Sequence, residues 1–144
     1  MSKFNPKTTI LKAGTQLHPE VSPLKHDIKY FQDLGVKMRD GIIIYRYLFT
    51  SGFKTRRKSP YFNCLECNGK TAGTAPRYIN LFNMLGMGNK WSSGLTKFEC
   101  PDPDYWCNKG YAICNPYPRG IARSEGNITK IGSQEPNDCY DLIE

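Results

Sequence analysis

The side chains with the most chemistry in this sequence are its six cysteines, Cys64, Cys67, Cys100, Cys107, Cys114 and Cys139. An even number of thiols in a short chain is the arithmetic of a disulfide framework, in which three bridges hold a region that buries too little apolar surface to hold itself. Cys107 and Cys114 are the first pair expected, because they fall on the two arms of a predicted hairpin. The same residues support a second reading. Cys64-Leu-Glu-Cys67-Asn-Gly69 has the spacing and the trailing glycine of a metal knuckle, a turn that aims two thiolates at one ion. No second Cys-x-x-Cys and no histidine pair completes it. A structural zinc would therefore take Cys64, Cys67, Cys100 and Cys114 (or Cys107), brought together only by the fold. A mixture with unpaired thiols is the third reading, and the sequence does not choose among the three. A redox role for Cys64 and Cys67 lacks the strand–Cys-x-x-Cys–helix setting it needs.

Catalytic patterns are sparse. His18 and His26 stand away from any serine or cysteine with nucleophile character, and neither G-x-S-x-G nor H-E-x-x-H occurs. Gly69-Lys70-Thr71 resembles the end of a phosphate loop, but the leading glycine position is Cys64. Glu99, Asp102 and Asp104 form an acidic patch whose flanking Pro101 and Pro103 predict a rigid exposed loop. No enzyme is expected from these residues, and no cofactor other than the alternative structural zinc.

The other chemical feature is charge. Lys54, Arg56, Arg57 and Lys58 lie close to Tyr45, Tyr47, Phe53, Tyr61 and Phe62. Cations interleaved with aromatic rings suit a phosphate backbone and unpaired bases. They equally suit a solvated loop beside a core strand, acidic protein subunits, or anionic lipid headgroups. The 144 residues carry 20 Lys+Arg against 13 Asp+Glu, a formal net charge of +7. Residues 1–60 hold twelve basic and four acidic side chains and no cysteine, whereas residues 61–144 hold eight basic, nine acidic and all the cysteines. Hydrophobic residues make up 39% of the chain, and no apolar run approaches the length of a membrane span. The first fourteen residues have no apolar core or small-residue cleavage site, which predicts no secretory leader.

The elements that must position these groups read as follows. Residues 1–21 form an extended basic arm with one strand at Thr8–Leu11. Ser22-Pro23 looks like a helix cap, and Leu24, Ile28, Phe31 and Leu34 at spacings of four and three predict a helix over 23–34 stopped by Gly35. Asp40-Gly41 between Val36–Arg39 and Ile42–Phe49 predicts a hairpin whose second strand is the best buried. A second helix is expected over 74–85, with hairpins around Asn108-Lys109-Gly110 and Glu125-Gly126-Asn127. The expected fold is a small, loop-rich α+β: short β-hairpins with two short helices, an extended N-terminal arm and a cross-linked C-terminal half. Its parts are the arm 1–21, a basic helix-plus-hairpin unit 22–62, and a cysteine-bearing module 63–144.

Two fragments resemble known families. Cys67-Asn-Gly69 followed by Pro76-Arg77-Tyr78-Ile79-Asn80-Leu81 is similar to the C-terminal stretch of the small zinc-binding accessory subunit of respiratory complex I, with Ala75 where that family carries a histidine ligand. Leu34–Lys37 with Asp40–Ile44 is similar to part of a bacterial-type large-subunit ribosomal protein. Each covers a small fraction of the chain, and neither identifies a family. The function expected is a non-catalytic accessory subunit of a large multiprotein assembly, with a mitochondrial respiratory complex, on its intermembrane-space side, as the setting. Its partners would be other protein subunits. One alternative is an RNA-contacting organellar ribosomal protein with a structural zinc; another is a secreted disulfide-rich binding domain.

Overall fold

The computed structural model of the chain describes residues 4–52, 60–63, 84–86, 91–97, 100–128 and 132–143. Five strands form one mixed sheet: β1 (Lys7–Leu11), β2 (Ile28–Lys37), β3 (Ile43–Ser51), β4 (Tyr61–Asn63) and β5 (Ala112–Pro116). Their spatial order is β1-β2-β3-β5-β4. The first three pair antiparallel in chain order, β3 pairs antiparallel with β5, and β4 lies parallel to β5 on the far edge. Among the described residues there are two helices, α1 (Pro103–Asn108) and α2 (Gln134–Ile143). The architecture is thus the small α+β expected, but the sheet unites strands from all three predicted segments.

The hairpin at Asp40-Gly41 forms where the sequence places it. Gly41 takes φ 91°, and its N–H donates to the Met38 carbonyl at 2.9 Å while the Met38 N–H donates to Ile42 at 2.9 Å. Only Gly41, and not Asp40, adopts positive φ, so the turn is wider than the two-residue form that an Asp-Gly pair predicts. β1 also matches its expectation within a residue.

The helix predicted over 23–34 does not exist; most of that span is β2. Tyr30 and Phe31 pair with Phe49 and Leu48, whereas Leu34 pairs with Arg46. Three residues advance on β2 while two advance on β3, so a bulge inserts one extra residue, and Asp33 occupies it at φ 58°. Aspartate tolerates that left-handed conformation better than most side chains. The bulge turns the strand over. Ile28 and Tyr30 face one core with Phe49, while Val36 faces the other with Ile44. The three-residue gap from Phe31 to Leu34 therefore records a bulged strand and mimics a helical period. Pairing on both edges of β2 outweighed the cap signal at Ser22-Pro23.

Each face of the sheet carries a core. Leu24, Ile28, Tyr30, Tyr45, Tyr47 and Phe49 pack with Ile113, Cys107 of α1 and Leu95 on one side. Met38 and Ile44 pack with Leu142 of α2 on the other. With helices on both faces, all five residues of β5 are buried, as expected of a strand enclosed between two layers. That strand, rather than β3, is the more completely covered one.

The hairpin predicted over Tyr105–Cys114 is a helix followed by a strand. Asp102 caps α1, its side chain accepting the Asp104 N–H at 2.9 Å, and Pro103 occupies the first turn, where its missing N–H costs nothing. Asp-Pro-Asp is a helix start, and the loop reading of Pro103 missed it. Asp104 is buried rather than displayed on an exposed loop. The hairpin predicted around Glu125-Gly126-Asn127 is a run of tight turns over its described residues, and α2 was not foreseen because its residues are mostly polar. The helix predicted over 74–85 falls almost wholly outside the described residues.

The cysteine framework is also corrected. Cys107, Cys114 and Cys139 are not disulfide-bonded, since Cys107 sits on α1 and Cys114 on β5 instead of on facing hairpin arms. Cys100 is disulfide-bonded; Cys64 and Cys67 lie outside the described residues. As a disulfide sulfur, Cys100 offers no thiolate to the four-cysteine zinc set. Burial pushes the Cys107 thiol up to about 12, which suppresses the nucleophilic thiolate.

Two outcomes test this packing. Phe49 is fully buried and stacks on Tyr30 with centroids 4.5 Å apart, whereas Ile10 is 55% exposed. Phe49→Ala should cost about 3–5 kcal/mol and Ile10→Ala less than about 0.5 kcal/mol in urea unfolding. In iodoacetamide mapping of the native protein, half-buried Cys139 should be alkylated first, with Cys107 and Cys114 reacting only after denaturation. Early labelling of Cys114 would contradict its burial on β5.

Candidate functional site

Parallel strands in a layered sheet present their carboxyl ends as the natural place for a site, because the connections leaving them diverge and open a crevice. Here those ends are Asn63 of β4 and Pro116 of β5. Unspent hydrogen-bonding capacity collects there. Both amide atoms of Asn63, the Oδ1 of Asn115 and the Nε of Arg46 are buried without a hydrogen bond. Arg46 pairs with Pro116 in register and Asn63 with Cys114, so these groups lie within neighbouring rungs of the sheet. Arg46 Nη1 meanwhile donates to the Leu142 carbonyl of α2 at 3.2 Å and approaches Cys114 Sγ at 3.9 Å.

The segment leaving β5 is held rigidly. The Tyr117 N–H donates to the Tyr45 carbonyl at 2.8 Å. Ser124 Oγ donates to the Tyr117 carbonyl at 2.7 Å and accepts the Tyr45 N–H at 3.0 Å. The Ile43 N–H donates to Glu125 Oε2 at 3.0 Å. Gly120, at φ 70°, donates to the Glu125 carbonyl, and a Cβ there would stand 2.5 Å from the Ile128 nitrogen; no other residue fits that turn. Ala122 is also at positive φ, 51°.

Arg119 ties this segment to the rest of the chain. Its guanidinium makes two bonds to Asp138 of α2, at 2.9 and 2.6 Å, and a third to Asp40 of the hairpin turn at 2.6 Å. The Arg119 and Asp138 side chains are only 10% and 4% exposed. Nearby, Arg39 holds Asp141 through two guanidinium nitrogens. Arg119 and Arg39 keep the carboxyls of Asp40 and Asp141 below the usual range.

On the opposite face three phenols meet. Tyr117 donates to the Tyr47 hydroxyl at 3.2 Å, and Tyr30 packs edge-on to Tyr47 at 5.6 Å. Burial raises both Tyr30 and Tyr117 well above an ordinary phenol, and the neighbouring Tyr47 adds to the shift. Gln32 opposes the shift at Tyr30 without reaching hydrogen-bond geometry. Tyr30 and Tyr117 therefore stay neutral. Asp33 at the bulge pairs with Arg123 of the loop after β5.

A second concavity, of about 220 Å³, lies beside the amino ends of β2 and β5. It brings His26 together with Ser93, Asp102 and Asp104, the residue types of a charge-relay hydrolase. Their geometry is different. Ser93 Oγ donates to Asp102 at 2.6 Å, and His26 Nδ1 stands 3.5 Å from Asp104 Oδ1 without hydrogen bonding. Asp102 instead fastens the 93–96 loop, accepting also from the Ser93 N–H and Thr96 Oγ1, and Asp104 accepts the N–H groups of Lys25 and His26. Asp102 and Asp104 of the acidic patch thus serve loop and helix architecture, Glu99 lies outside the described residues, and among the described residues no group of three metal-ligating side chains assembles.

Of the residues singled out by sequence, His18 accepts the Glu20 N–H at 3.2 Å. Lys54, Arg56, Arg57 and Lys58 fall outside the described residues, so subunit, RNA and lipid partners draw no support from them. No described helix is long and apolar enough to cross a membrane. Asn63, Asn115, Arg119 and Asp138 were not foreseen. The one available signal was Arg119-Gly120 directly after the Pro116-Tyr117-Pro118 break.

The Arg119 junction has a measurable consequence. Arg119→Ala leaves Asp138 buried without its main partner and should cost about 3 kcal/mol in urea unfolding. With the folded-state carboxyls of Asp40 and Asp141 lowered, their contribution is full at neutral pH and is lost as pH falls below about 4. Asp141→Asn should flatten that acid limb of the stability profile; an unchanged limb would remove the Arg39 pair from the account.

No protein-family model matches the chain, and no curated protein resembles it. Solved structures do. Two crystal structures of a CocE/NonD family hydrolase from Staphylococcus aureus superpose with TM-scores of 0.66 and 0.68 at 26% sequence identity. The alignments cover 81% and 82% of this chain but only 20% of the hydrolase in each case. This likeness overturns the expectation of a non-catalytic accessory subunit and, with it, the expectation that the chain is not an enzyme. It lends nothing to an organellar ribosomal, mitochondrial or secreted disulfide-rich role. The chain is similar, over about four-fifths of its length, to one-fifth of a CocE/NonD family hydrolase.

Proposed function

We propose that the chain forms a sheet-bearing part of a hydrolase of the CocE/NonD kind. The observation that carries this reading is the superposition over 81–82% of the chain at 26% identity. The carboxyl ends of β4 and β5 support it, because they gather Asn63, Asn115 and Arg46 with unspent hydrogen-bonding capacity where a layered sheet opens its crevice. In this reading the rigid loop Tyr117–Gly126 and its Arg119 anchor shape one wall of the crevice, while Asn63 and Arg46, on the α2 face of the sheet, orient a bound polar group. Neither G-x-S-x-G nor H-E-x-x-H occurs in the 144 residues; the reacting group is then supplied by polypeptide beyond the matched fifth.

A chimera tests this directly. The matched fifth of the Staphylococcus aureus hydrolase is replaced by this chain, and hydrolysis of a chromogenic substrate of the parent enzyme is followed alongside the thermal melt. The folded chimera should retain turnover, and Asn63→Leu within it should lower kcat by about tenfold, as expected when one positioning hydrogen bond is lost. A chimera that melts cooperatively yet hydrolyses nothing would overturn the reading.

A further inference from the structure

The concavity beside the amino ends of β2 and β5 lies apart from the carboxyl-end site, and its charged groups are unequally engaged. Its carboxylates already hold hydrogen-bond donors. The Asp102 carboxylate receives four donors, the Ser93 N–H and hydroxyl, the Thr96 hydroxyl and the Asp104 N–H, and Asp104 receives the Lys25 and His26 N–H groups. Its donors are not spent. The ammonium groups of Lys25 and Lys109, the Trp91 indole N–H and the Asn108 amide line the cavity, and none hydrogen bonds to a described residue.

The rim is aromatic as well as cationic. Trp91 is 88% exposed and Tyr105 58% exposed, a large apolar area to leave in water. Lys109 Nζ stands 5.7 Å from the Tyr105 ring centroid, so one ammonium is already drawn over a ring face. A cationic ligand would meet two ammonium groups at the entrance and two carboxylates whose lone pairs are engaged. A neutral apolar ligand would cover the rings while stripping water from the lysines without compensation. A planar aromatic ring bearing a carboxylate satisfies both: the ring covers Trp91 and Tyr105, and the carboxylate accepts from Lys25, Lys109 and the indole N–H. We propose that this concavity is a binding site for an aromatic carboxylate, separate from the carboxyl-end crevice and independent of the hydrolase reading.

Isothermal titration of the purified chain with 2-naphthoate tests it, with 2-naphthylmethylamine and cyclohexanecarboxylate as comparison probes. Saturable one-to-one binding of 2-naphthoate is expected, weaker at high salt and at least about fivefold tighter than either comparison probe. The double variant Lys25→Gln/Lys109→Gln and the single variant Trp91→Leu should each weaken it by about fivefold or more. All three side chains are exposed, so circular dichroism should report an unchanged fold. Equal or tighter binding of the amine, unchanged affinity in the variants, or no saturable heat with 2-naphthoate would each overturn the assignment.

Discussion

Arg119 is the point on which the described structure turns. One guanidinium joins the segment leaving β5, the turn between β2 and β3 and the helix on the far side of the sheet. Its contribution is directional where apolar cover is thin, because the turn is exposed and α2 buries few apolar side chains. A bidentate pair with an almost fully buried carboxylate has directional force that a hydrophobic contact lacks, and it fixes angles as well as distances. Gly120 follows because the chain must reverse immediately after the arginine, where a side chain would strike the backbone of Ile128.

The bulge at Asp33 is the second constraint, and it depends on the first through the same loop. By inserting one residue, β2 serves both layers, giving Ile28 and Tyr30 to the aromatic core and Val36 to the smaller one. A regular strand of this sequence would put both groups on one face and leave the other without cover. Arg123 reaches back from the loop after β5 to pair with the bulged carboxylate, so the irregularity in β2 and the exit of β5 stabilise one another. The phenols of Tyr47 and Tyr117 fill the space between them.

What these devices position is a layered sheet whose two parallel strands end together, with polar groups held there at a cost in desolvation. A protein interior rarely leaves a carboxamide without a partner, so the unpaired polar atoms of Asn63 and Arg46 on one face, and of Asn115 on the other, set this region apart from the rest of the sheet. The cavity at the opposite ends is of another character: its carboxylates hold backbone and loop donors, and its exposed rim carries cations and rings.

Local chemistry sufficed for some of this. Asp40-Gly41 with its β-branched flank specified a hairpin because only a few backbone shapes accept that pair, and the strand after it could be read from the same residues. Asp102-Pro103-Asp104 was equally local and legible, though the neighbouring prolines masked it as a loop. Other features had no local signature. Leu24, Ile28, Phe31 and Leu34 fit a helix as well as a bulged strand, and only pairing with β1 and β3 separates the two. Cysteine spacing set no connectivity, because whether two thiols meet depends on which layers Cys107 and Cys114 enter. The sequence by itself determined the turns, the caps and the segregation of charge, since each rests on backbone preference or composition within a few residues. The tertiary structure decided which segments became strands, which thiols stayed apart, and which face of the sheet Asn63, Asn115 and Arg46 entered, because those outcomes depend on contacts between residues distant along the chain.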